Sequence, residues 1–181
     1  MAVVWRPSRF FPALVLTASL LTVRATNLSC PSQAAVWLAL LDAYARDPMG
    51  GGDGLSDYAK ANLVERLKDM SSFHGALAYR DETPVGLINC FMGFSTFAAQ
   101  PLLNIHDVVV LPEWRGQGIA RVLLDWAAAR AGELGCCKLT LEVLSNNTAA
   151  MASYQRAGFV PYELDPAAGH ALLLQKYLEE N

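Results

Sequence analysis

The chain has 181 residues, enough for one domain with a full hydrophobic core. Hydrophobic residues make up 53% of it, which favours a packed α/β domain. The formal net charge of -3 argues against a nucleic-acid partner, because that partner is itself strongly negative.

The first 19 residues are predicted to form an N-terminal extension. Arg6 and Arg9 precede an apolar stretch from Phe10 to Leu21, a pattern typical of secretory signals. The stretch is shorter than the roughly 20 apolar residues that a membrane-spanning helix needs. Alternation over Leu21–Thr26 predicts instead a first strand, which cleavage after Ala25 would destroy. We expect a poorly ordered or signal-like extension over 1–19 and a single domain over 20–181.

Two helices are predicted after the first strand. The first runs from Ser32 to Arg46, with Ser32 as its N-cap. Its apolar face comprises Val36, Leu40, Ala43 and Tyr44. A glycine-rich loop over 49–54 separates it from a second helix over about 56–70.

Three strands are predicted next. Phe73–Tyr79 and Val85–Phe97 flank a turn at residues 81–84, and the second of them is expected to bend or bulge near Gly93. Leu103–Leu111 is predicted to be the central strand, because it is a long apolar run rich in β-branched residues.

The remaining predicted elements are a helix, a strand, a helix and a last strand. They are the helix that begins near Ile119 and is ended by Gly132 and Gly135, the strand Lys138–Leu144, the helix Asn147–Ala157 and the strand Leu172–Tyr177. The first of these helices has its apolar face at Ile119, Val122, Leu123, Trp126 and Ala127.

The four cysteines do not have the spacing of a metal site. They are Cys30, Cys90, Cys136 and Cys137, without a Cys-x-x-Cys pair or a histidine cluster. We therefore expect no metal, and reduced cysteines packed in a cytosolic domain.

A glycine-rich turn follows the central strand. Residues 107–121 read Asp-Val-Val-Val-Leu-Pro-Glu-Trp-Arg-Gly-Gln-Gly-Ile-Ala-Arg. A turn that opens a helix presents free backbone N–H groups and the positive end of the helix dipole, which suit a phosphate. Ile119 and Ala120 stand where a P-loop needs lysine and Ser/Thr, and Arg121 stands where a dinucleotide-binding turn needs a small residue.

A second block lies downstream, at residues 147–159: Asn-Thr-Ala-Ala-Met-Ala-Ser-Tyr-Gln-Arg-Ala-Gly-Phe. With Arg115-x-x-Gly118-x-Ala120, it resembles motifs A and B of the GNAT acetyltransferase superfamily. Motif B is Asn-x-x-Ala-x-x-x-Tyr-x-x-x-Gly-Phe, and every fixed position matches. The two blocks have the family's order and are separated, as the family requires, by one helix and one strand. The resemblance covers roughly Phe73–Phe159.

The resemblance implies a mixed α/β GNAT fold, with a central, mostly antiparallel sheet that splays at the cofactor site and is flanked by helices. It also implies acetyl-CoA as cofactor. By motif position, the cofactor-binding residues would be Val108, Val109, Val110, Arg115, Gly116, Gln117, Gly118, Ile119, Ala120, Arg121 and Asn147. In the family the backbone of the central strand pairs with pantetheine, and one N–H, here Val109 or Val110, polarises the thioester carbonyl.

The implied activity is transfer of the acetyl group to a primary amine of a small molecule or protein, by direct attack in a ternary complex. Tyr154 would protonate the leaving thiolate. Two bases remain open: Glu142, which some family members use at this position, and His106, placed on the same face as Val108 by strand alternation. Water or no single base is a third reading. The acids around the first interhelical loop would attract a cationic acceptor, since this loop borders the acceptor pocket in the family; they are Asp42, Asp47, Asp53 and Asp57.

Other readings and partners follow from the same resemblance. A non-catalytic acyl-CoA-binding sensor of the same fold is the alternative to an enzyme. We expect no nucleic-acid or membrane partner and a cytoplasmic location, because acetyl-CoA is a cytoplasmic metabolite. A homodimer is a further expectation, because dimers are common in the family.

Overall fold

A five-stranded sheet forms the centre of the fold. The computed structural model describes residues 19–162, 167 and 171–178. The strands, in sheet order as in chain order, are β1 (Leu21–Ala25), β2 (Phe73–Arg80), β3 (Thr83–Ser95), β4 (Gln100–Val110) and β5 (Leu139–Leu141). Strands β1 to β4 pair antiparallel, and β5 pairs parallel to β4. The prediction of a mixed, mostly antiparallel sheet is confirmed.

Helices cover both faces of the sheet. They are α1 (Pro31–Ala45), α2 (Asp57–Leu67), α3 (Ile119–Glu133) and α4 (Thr148–Arg156), and a short 3-10 turn, Pro112–Trp114, precedes α3. On one face, Trp37 and Leu40 of α1 pack with Leu77, Leu87 and Val109 of the sheet. On the other face, the apolar side of α3 packs on β2, β3 and β4. The sheet is therefore buried on both sides where its central strands run.

Helix α1 begins one residue before the predicted N-cap. Cys30 is the N-cap residue, Pro31 is the first helical residue and Ser32 lies within the first turn. Proline suits this place because its missing N–H would have no intrahelical partner there. The buried face is also rotated from the predicted one: Trp37 is fully buried, whereas Ala43 is exposed.

The pairing of β3 with β4 shifts register between Asn89 and Cys90, and not at Gly93, where a bend was predicted. Asn89 pairs with Asp107 and Cys90 pairs with Ile105, so His106 is an extra residue in β4. An extra residue in one strand is a β-bulge, which reverses the alternation of side chains along that strand.

The bulge overturns the prediction that His106 and Val108 share a face. The His106 ring packs edge-on against Phe91, which belongs to the α1 side of the sheet, with ring centroids 4.7 Å apart. Val108 packs against the α3 side. Simple alternation failed here because a bulge leaves no mark in the sequence that is readable from one strand alone.

Two other sequence expectations differ from the structure. Helix α3 continues through Gly132 and is ended by Gly135, whose φ of 68° is the left-handed conformation that glycine adopts readily. Residues 171–178 are exposed and without regular secondary structure, so the predicted last strand Leu172–Tyr177 is wrong. An apolar run forms a strand only where the edge of a sheet can pair with it. The edge strand β5 has only three residues, which is short for pairing with another strand.

The chain just before β1 is fixed by the turn between β2 and β3. The Ser19 hydroxyl and the Leu20 N–H donate to the Asp81 carboxylate, and the Asp81 N–H donates back to the Leu20 carbonyl. We expect a variant that begins at Ser19 to keep the melting temperature and the acetyl-CoA affinity of the full chain. Thermal denaturation and calorimetry check this, and a loss of either would show that residues 1–18 pack on the domain.

Candidate active site

The site is built around an open edge of β4. Strand β5 pairs with β4 only at Leu103, Asn104 and Ile105, so the edge that follows has no strand partner among the described residues. The Val110 carbonyl on this edge accepts a hydrogen bond from Arg115 Nε at 3.1 Å. Beyond Ile105, β4 therefore has an edge without a strand partner at the place where the sequence predicted a splay.

Alternate residues of β4 turn their backbone groups towards opposite edges. The Leu111 N–H donates to the Val85 carbonyl of β3, and the Val109 carbonyl lies close against Gly86 of β3. Val109 therefore faces β3, and Val108 and Val110 face the open edge. The N–H groups of Val109 and Val110 were both predicted to polarise the thioester carbonyl. Only the Val110 N–H is directed towards the open edge.

The glycine turn at the end of this edge holds unpaired backbone donors. Gly116 and Gly118 have φ of 76° and 80°, and Gly118 is the N-cap residue of α3. Within the part of the chain that the structure describes, none of the five N–H groups from Gly116 to Ala120 donates a hydrogen bond. Consecutive free N–H groups at a helix N-terminus form a concave site for an anion.

The two arginines of the turn are engaged by protein groups. Arg115 Nη2 forms an ion pair of 2.7 Å with Asp47 in the loop after α1. Arg121 donates to Asp125 one turn along α3 and to the Arg156 carbonyl of α4. Arg115 therefore lies between the glycine turn and the interhelical loop, and Arg121 ties α3 to α4.

A cavity of about 400 Å³ lies beside the open edge. The sequence-predicted residues Tyr154, Glu142, His106, Asn147 and Val108 all line it. These residues come from β4, the end of β5 and α4, so the parallel pairing of β5 with β4 brings the two motifs to one place. Five of the sequence-predicted site residues therefore surround one cavity, whereas Val109, Val110 and Arg115 line a second cavity.

Tyr154 stands on α4 and is half-buried. Its ring packs edge-on against Phe159, with centroids 5.9 Å apart. Burial raises the pKa of Tyr154 above its ordinary value, and the nearby Tyr44 and Asp107 charges raise it further. The phenol therefore stays protonated through the neutral range and keeps a proton to donate.

The two predicted bases, Glu142 and His106, both line the cavity and are both exposed. Glu142 follows β5, and its Oε1 is 3.4 Å from Asn104 Nδ2, a long hydrogen bond. Asn147 caps α4, because its Oδ1 accepts a hydrogen bond from the Ala150 N–H.

Sequence reasoning missed Asp107, the residue after His106. Its Oδ2 accepts a hydrogen bond of 2.9 Å from Asn89 Nδ2. Burial raises the pKa of the Asp107 carboxyl above its usual range, while the Asn89 hydrogen bond and the His106 charge oppose that rise. The missed signal was an acidic residue directly before the apolar run Val108–Val110, because burying a charged group costs free energy unless it has a partner.

The acids around the interhelical loop are partly engaged. Asp42 accepts from the Leu55 N–H and pairs with Arg46 and Lys60, and these partners hold its pKa below its usual range. Asp47 pairs with Arg115 in the same way. Asp53 and Asp57 are exposed. The predicted attraction of a cationic acceptor therefore rests on fewer free charges than the sequence suggested.

The described residues hold no group of three or more His, Cys, Asp or Glu side chains placed to bind a metal ion. No helix in the described part of the chain is long and apolar enough to cross a membrane.

Comparison with protein families identifies the class. The model of the family described as "Acetyltransferase (GNAT) family" matches residues 37–159. This segment is more than half of the chain and contains the open edge, the glycine turn and Tyr154. The chain therefore belongs to the GNAT acetyltransferase family, as its two motifs predicted.

Individual relatives agree with this assignment. A thialysine N-epsilon-acetyltransferase of Caenorhabditis elegans is 30% identical over 102 residues, covering 55% of this chain and 63% of the relative. A streptothricin acetyltransferase of Streptomyces lavendulae is 43% identical over 77 residues, covering 42% of this chain and 41% of the relative. The chain thus matches less than two thirds of the length of either relative.

A solved structure supports the fold. The aminoglycoside N-acetyltransferase AAC(6')-Iy in complex with CoA superposes with a TM-score of 0.70 at 19% identity. The match covers 90% of this chain and 99% of that chain. At this identity the likeness concerns the fold alone.

Proposed function

We propose that the protein transfers the acetyl group of acetyl-CoA to a primary amine in a ternary complex. The observation that carries the proposal is the run of five free N–H groups, Gly116 to Ala120, which follows the open β4 edge, whose Val108 lines the same cavity as Tyr154. Family membership supports the same activity.

The residues present fit the cofactor. The five N–H groups and the α3 dipole suit a pyrophosphate, and apart from the adjoining residues no protein atom lies within 4 Å of where a Cβ of Gly116 or Gly118 would stand. Val108 and Val110 present backbone groups that suit an amide-containing arm such as pantetheine. When bound, acetyl-CoA supplies an activated acetyl group as a thioester.

The protein then has two proton tasks. A primary amine is protonated at neutral pH, so a base must take one proton before the nitrogen can act as a nucleophile. Glu142 and His106 are the sequence-predicted candidates, and Asp107 is a third. At the other end of the reaction, the Tyr154 hydroxyl donates its proton to the departing sulfur, and the N–H of Val110 stabilises negative charge on the carbonyl oxygen.

Thiol release from acetyl-CoA, measured with and without added amines, tests the proposal. The panel takes its chemistry from the names of relatives: a thialysine-like amino acid, streptothricin, an aminoalkylphosphonate and an aminoglycoside, with a peptide α-amine added. We expect at least one amine to accelerate thiol release and to gain one acetyl group by mass. Tight acetyl-CoA binding without release for any amine would favour a non-catalytic acyl-CoA sensor.

We expect Asp47→Asn to tighten CoA binding several-fold. The substitution removes a carboxylate that competes with phosphate for Arg115, and it removes a negative charge near the anion site. Asparagine retains the side-chain oxygen that accepts from the Met49 N–H, so the loop keeps its turn. Calorimetric titration measures the change. Affinity at or below that of the wild type would show that Arg115 does not reach the cofactor.

Two wider proposals accompany this function. Acetyl-CoA is a cytoplasmic metabolite, which places the reaction in the cytoplasm, and cell fractionation tests it. A homodimer is proposed because dimers are common in the family, and light scattering of the purified protein tests it.

A further inference from the structure

The Arg115 side chain joins the last residue of β4 to the loop after α1. Its Nε donates to the Val110 carbonyl at 3.1 Å, and its Nη2 forms an ion pair of 2.7 Å with Asp47 Oδ2. Val109, Val110, Asp47 and Arg115 all line the second cavity, of about 200 Å³. Arg115 also directly precedes Gly116, the first of the five free N–H groups. The ion pair therefore connects the proposed phosphate site to the loop.

Asp47 is held within the loop by three further hydrogen bonds. Its Oδ1 accepts from the Met49 N–H at 2.9 Å, its own N–H donates to the Tyr44 carbonyl at 2.8 Å, and its carbonyl accepts from the Gly50 N–H at 2.7 Å. Its side chain is 17% exposed, so the carboxylate is largely enclosed by protein. A change of partner at Asp47 Oδ2 therefore acts on the conformation of residues 47–50.

The same loop reaches the active-site cavity. Met49 lines that cavity together with Tyr154 and Glu142, and Tyr44 lines both cavities. Met49 is 40% exposed and belongs to neither hydrophobic core cluster of the described residues, so packing leaves its side chain room to move. Because Met49 shares a hydrogen bond with Asp47, a change at the ion pair is passed to a residue of the active-site cavity.

A pyrophosphate at the glycine turn competes with Asp47 for the same guanidinium. The planar fork of Arg115 suits a phosphate as well as it suits a carboxylate. The Arg115 side chain is 54% exposed, and an ion pair with so exposed a member shifts an equilibrium by less than roughly tenfold. A pyrophosphate carries more negative charge than one carboxylate and is held by the five free N–H groups as well, so it displaces Asp47 from Arg115.

We propose that the Arg115–Asp47 ion pair is a latch between the cofactor site and the active-site cavity. The cofactor's pyrophosphate takes Arg115 from Asp47, and the loop that places Met49 in the cavity is thereby released. The inference rests on the proposed acetyl-CoA-dependent function. Because coupling between two ligands is reciprocal, an acceptor that fits the released loop binds more tightly after the cofactor than before it.

Methyl ¹³C NMR of the full chain, labelled at methionine and titrated with ADP, tests the latch. ADP carries a pyrophosphate but no pantetheine arm, so it occupies the phosphate site without entering the active-site cavity. A response of the Met49 methyl group must then be relayed through the protein. Met70 and Met92 are exposed to a similar degree and serve as internal references, and Met49→Leu assigns the signal. We expect ADP to shift the Met49 signal and to leave both references in place.

Two variants open the latch from its two sides. Asp47→Asn removes the charge and keeps the side-chain oxygen that accepts from the Met49 N–H, whereas Arg115→Gln removes the guanidinium. Without ADP, we expect both variants to show the Met49 signal near its position in the ADP-saturated wild type. Added ADP should then move it little further, because the loop is already released.

Asp125→Asn is the matched control. It removes the carboxylate that pairs at 2.8 Å with Arg121, the other arginine of the turn, but it lies on α3 and not in the loop. Its Met49 signal should respond to ADP as in the wild type. Both aspartate variants lose a negative charge near the anion site, so calorimetry should show tighter ADP binding in both, and the Met49 signal alone separates them.

Each outcome decides a different claim. An unmoved Met49 signal in the ADP-saturated wild type overturns the latch, and so does an ADP shift of wild-type size in the folded Asp47→Asn and Arg115→Gln proteins. Failure of ADP to bind, measured by calorimetry, overturns the phosphate site and the latch together. A wild type that acetylates no amine overturns the proposed catalytic function alone, because the Met49 titration does not depend on turnover and still decides the latch.

Discussion

We expect Tyr154→Phe to lower kcat by about 100-fold while the acetyl-CoA dissociation constant stays close to that of the wild type. General acids contribute roughly 100- to 10,000-fold, and the effect should lie at the lower end because a thiol of pKa near ~8.5 leaves moderately well without help. The substitution removes only the hydroxyl. The ring, its packing on Phe159 and the cavity wall remain.

A matched variant separates chemistry from packing. Phe159→Leu removes the aromatic partner of Tyr154 and leaves the hydroxyl in place. We expect it to lower the melting temperature more than Tyr154→Phe does and to lower kcat less. Steady-state kinetics, calorimetry and thermal denaturation on one preparation of each variant decide between the roles. Wild-type kcat in a folded Tyr154→Phe protein would end the general-acid assignment.

The second large effect is expected from Gly118→Val, which should weaken acetyl-CoA binding at least tenfold. Gly118 has a φ of 80°, where a residue with a Cβ is strained by roughly 1–2 kcal/mol, and a β-branched residue is the least tolerant. Apart from the adjoining residues, no protein atom lies within 4 Å of the Cβ position, so the valine side chain would occupy open space at the start of α3. The pyrophosphate would have to occupy that space.

Gly135→Val is the control for backbone strain. Gly135 has a φ of 68°, an equally open Cβ position and a place at the other end of the same helix. Both variants should lose similar stability, and only Gly118→Val should lose affinity. Equal acetyl-CoA affinity in the two folded variants would contradict the proposal that the cofactor's phosphates bind at the glycine turn.

The local parts of this site could be predicted from the sequence. The glycine turn, the cap at Asn147 and the position of Tyr154 on its helix each depend on residues within one or two turns of each other. Their physics is short-range: a left-handed glycine, a side-chain cap and helical spacing are each visible in a few neighbouring letters.

The parts that depend on pairing between distant strands could not be predicted. The His106 bulge exists only relative to β3, and it reversed the face assigned to His106. Trp37, Asn89 and Asp107 are joined across 52 and 18 positions of sequence, so no local pattern links them. The ion pair between Arg115 and Asp47, which are 68 positions apart, could not be predicted for the same reason.

Transfer of an isotopically labelled acetyl group tests the central claim most directly. The full-length protein is incubated with acetyl-CoA labelled in its acetyl group and with the amine that accelerates thiol release most, and the products are analysed by mass spectrometry and NMR. The account predicts that the label appears in an amide on the acceptor nitrogen, in amounts equal to the thiol released, and that Gly118→Val and Tyr154→Phe reduce both together. Release of thiol with the label recovered as free acetate, or with no label on any amine, would contradict it.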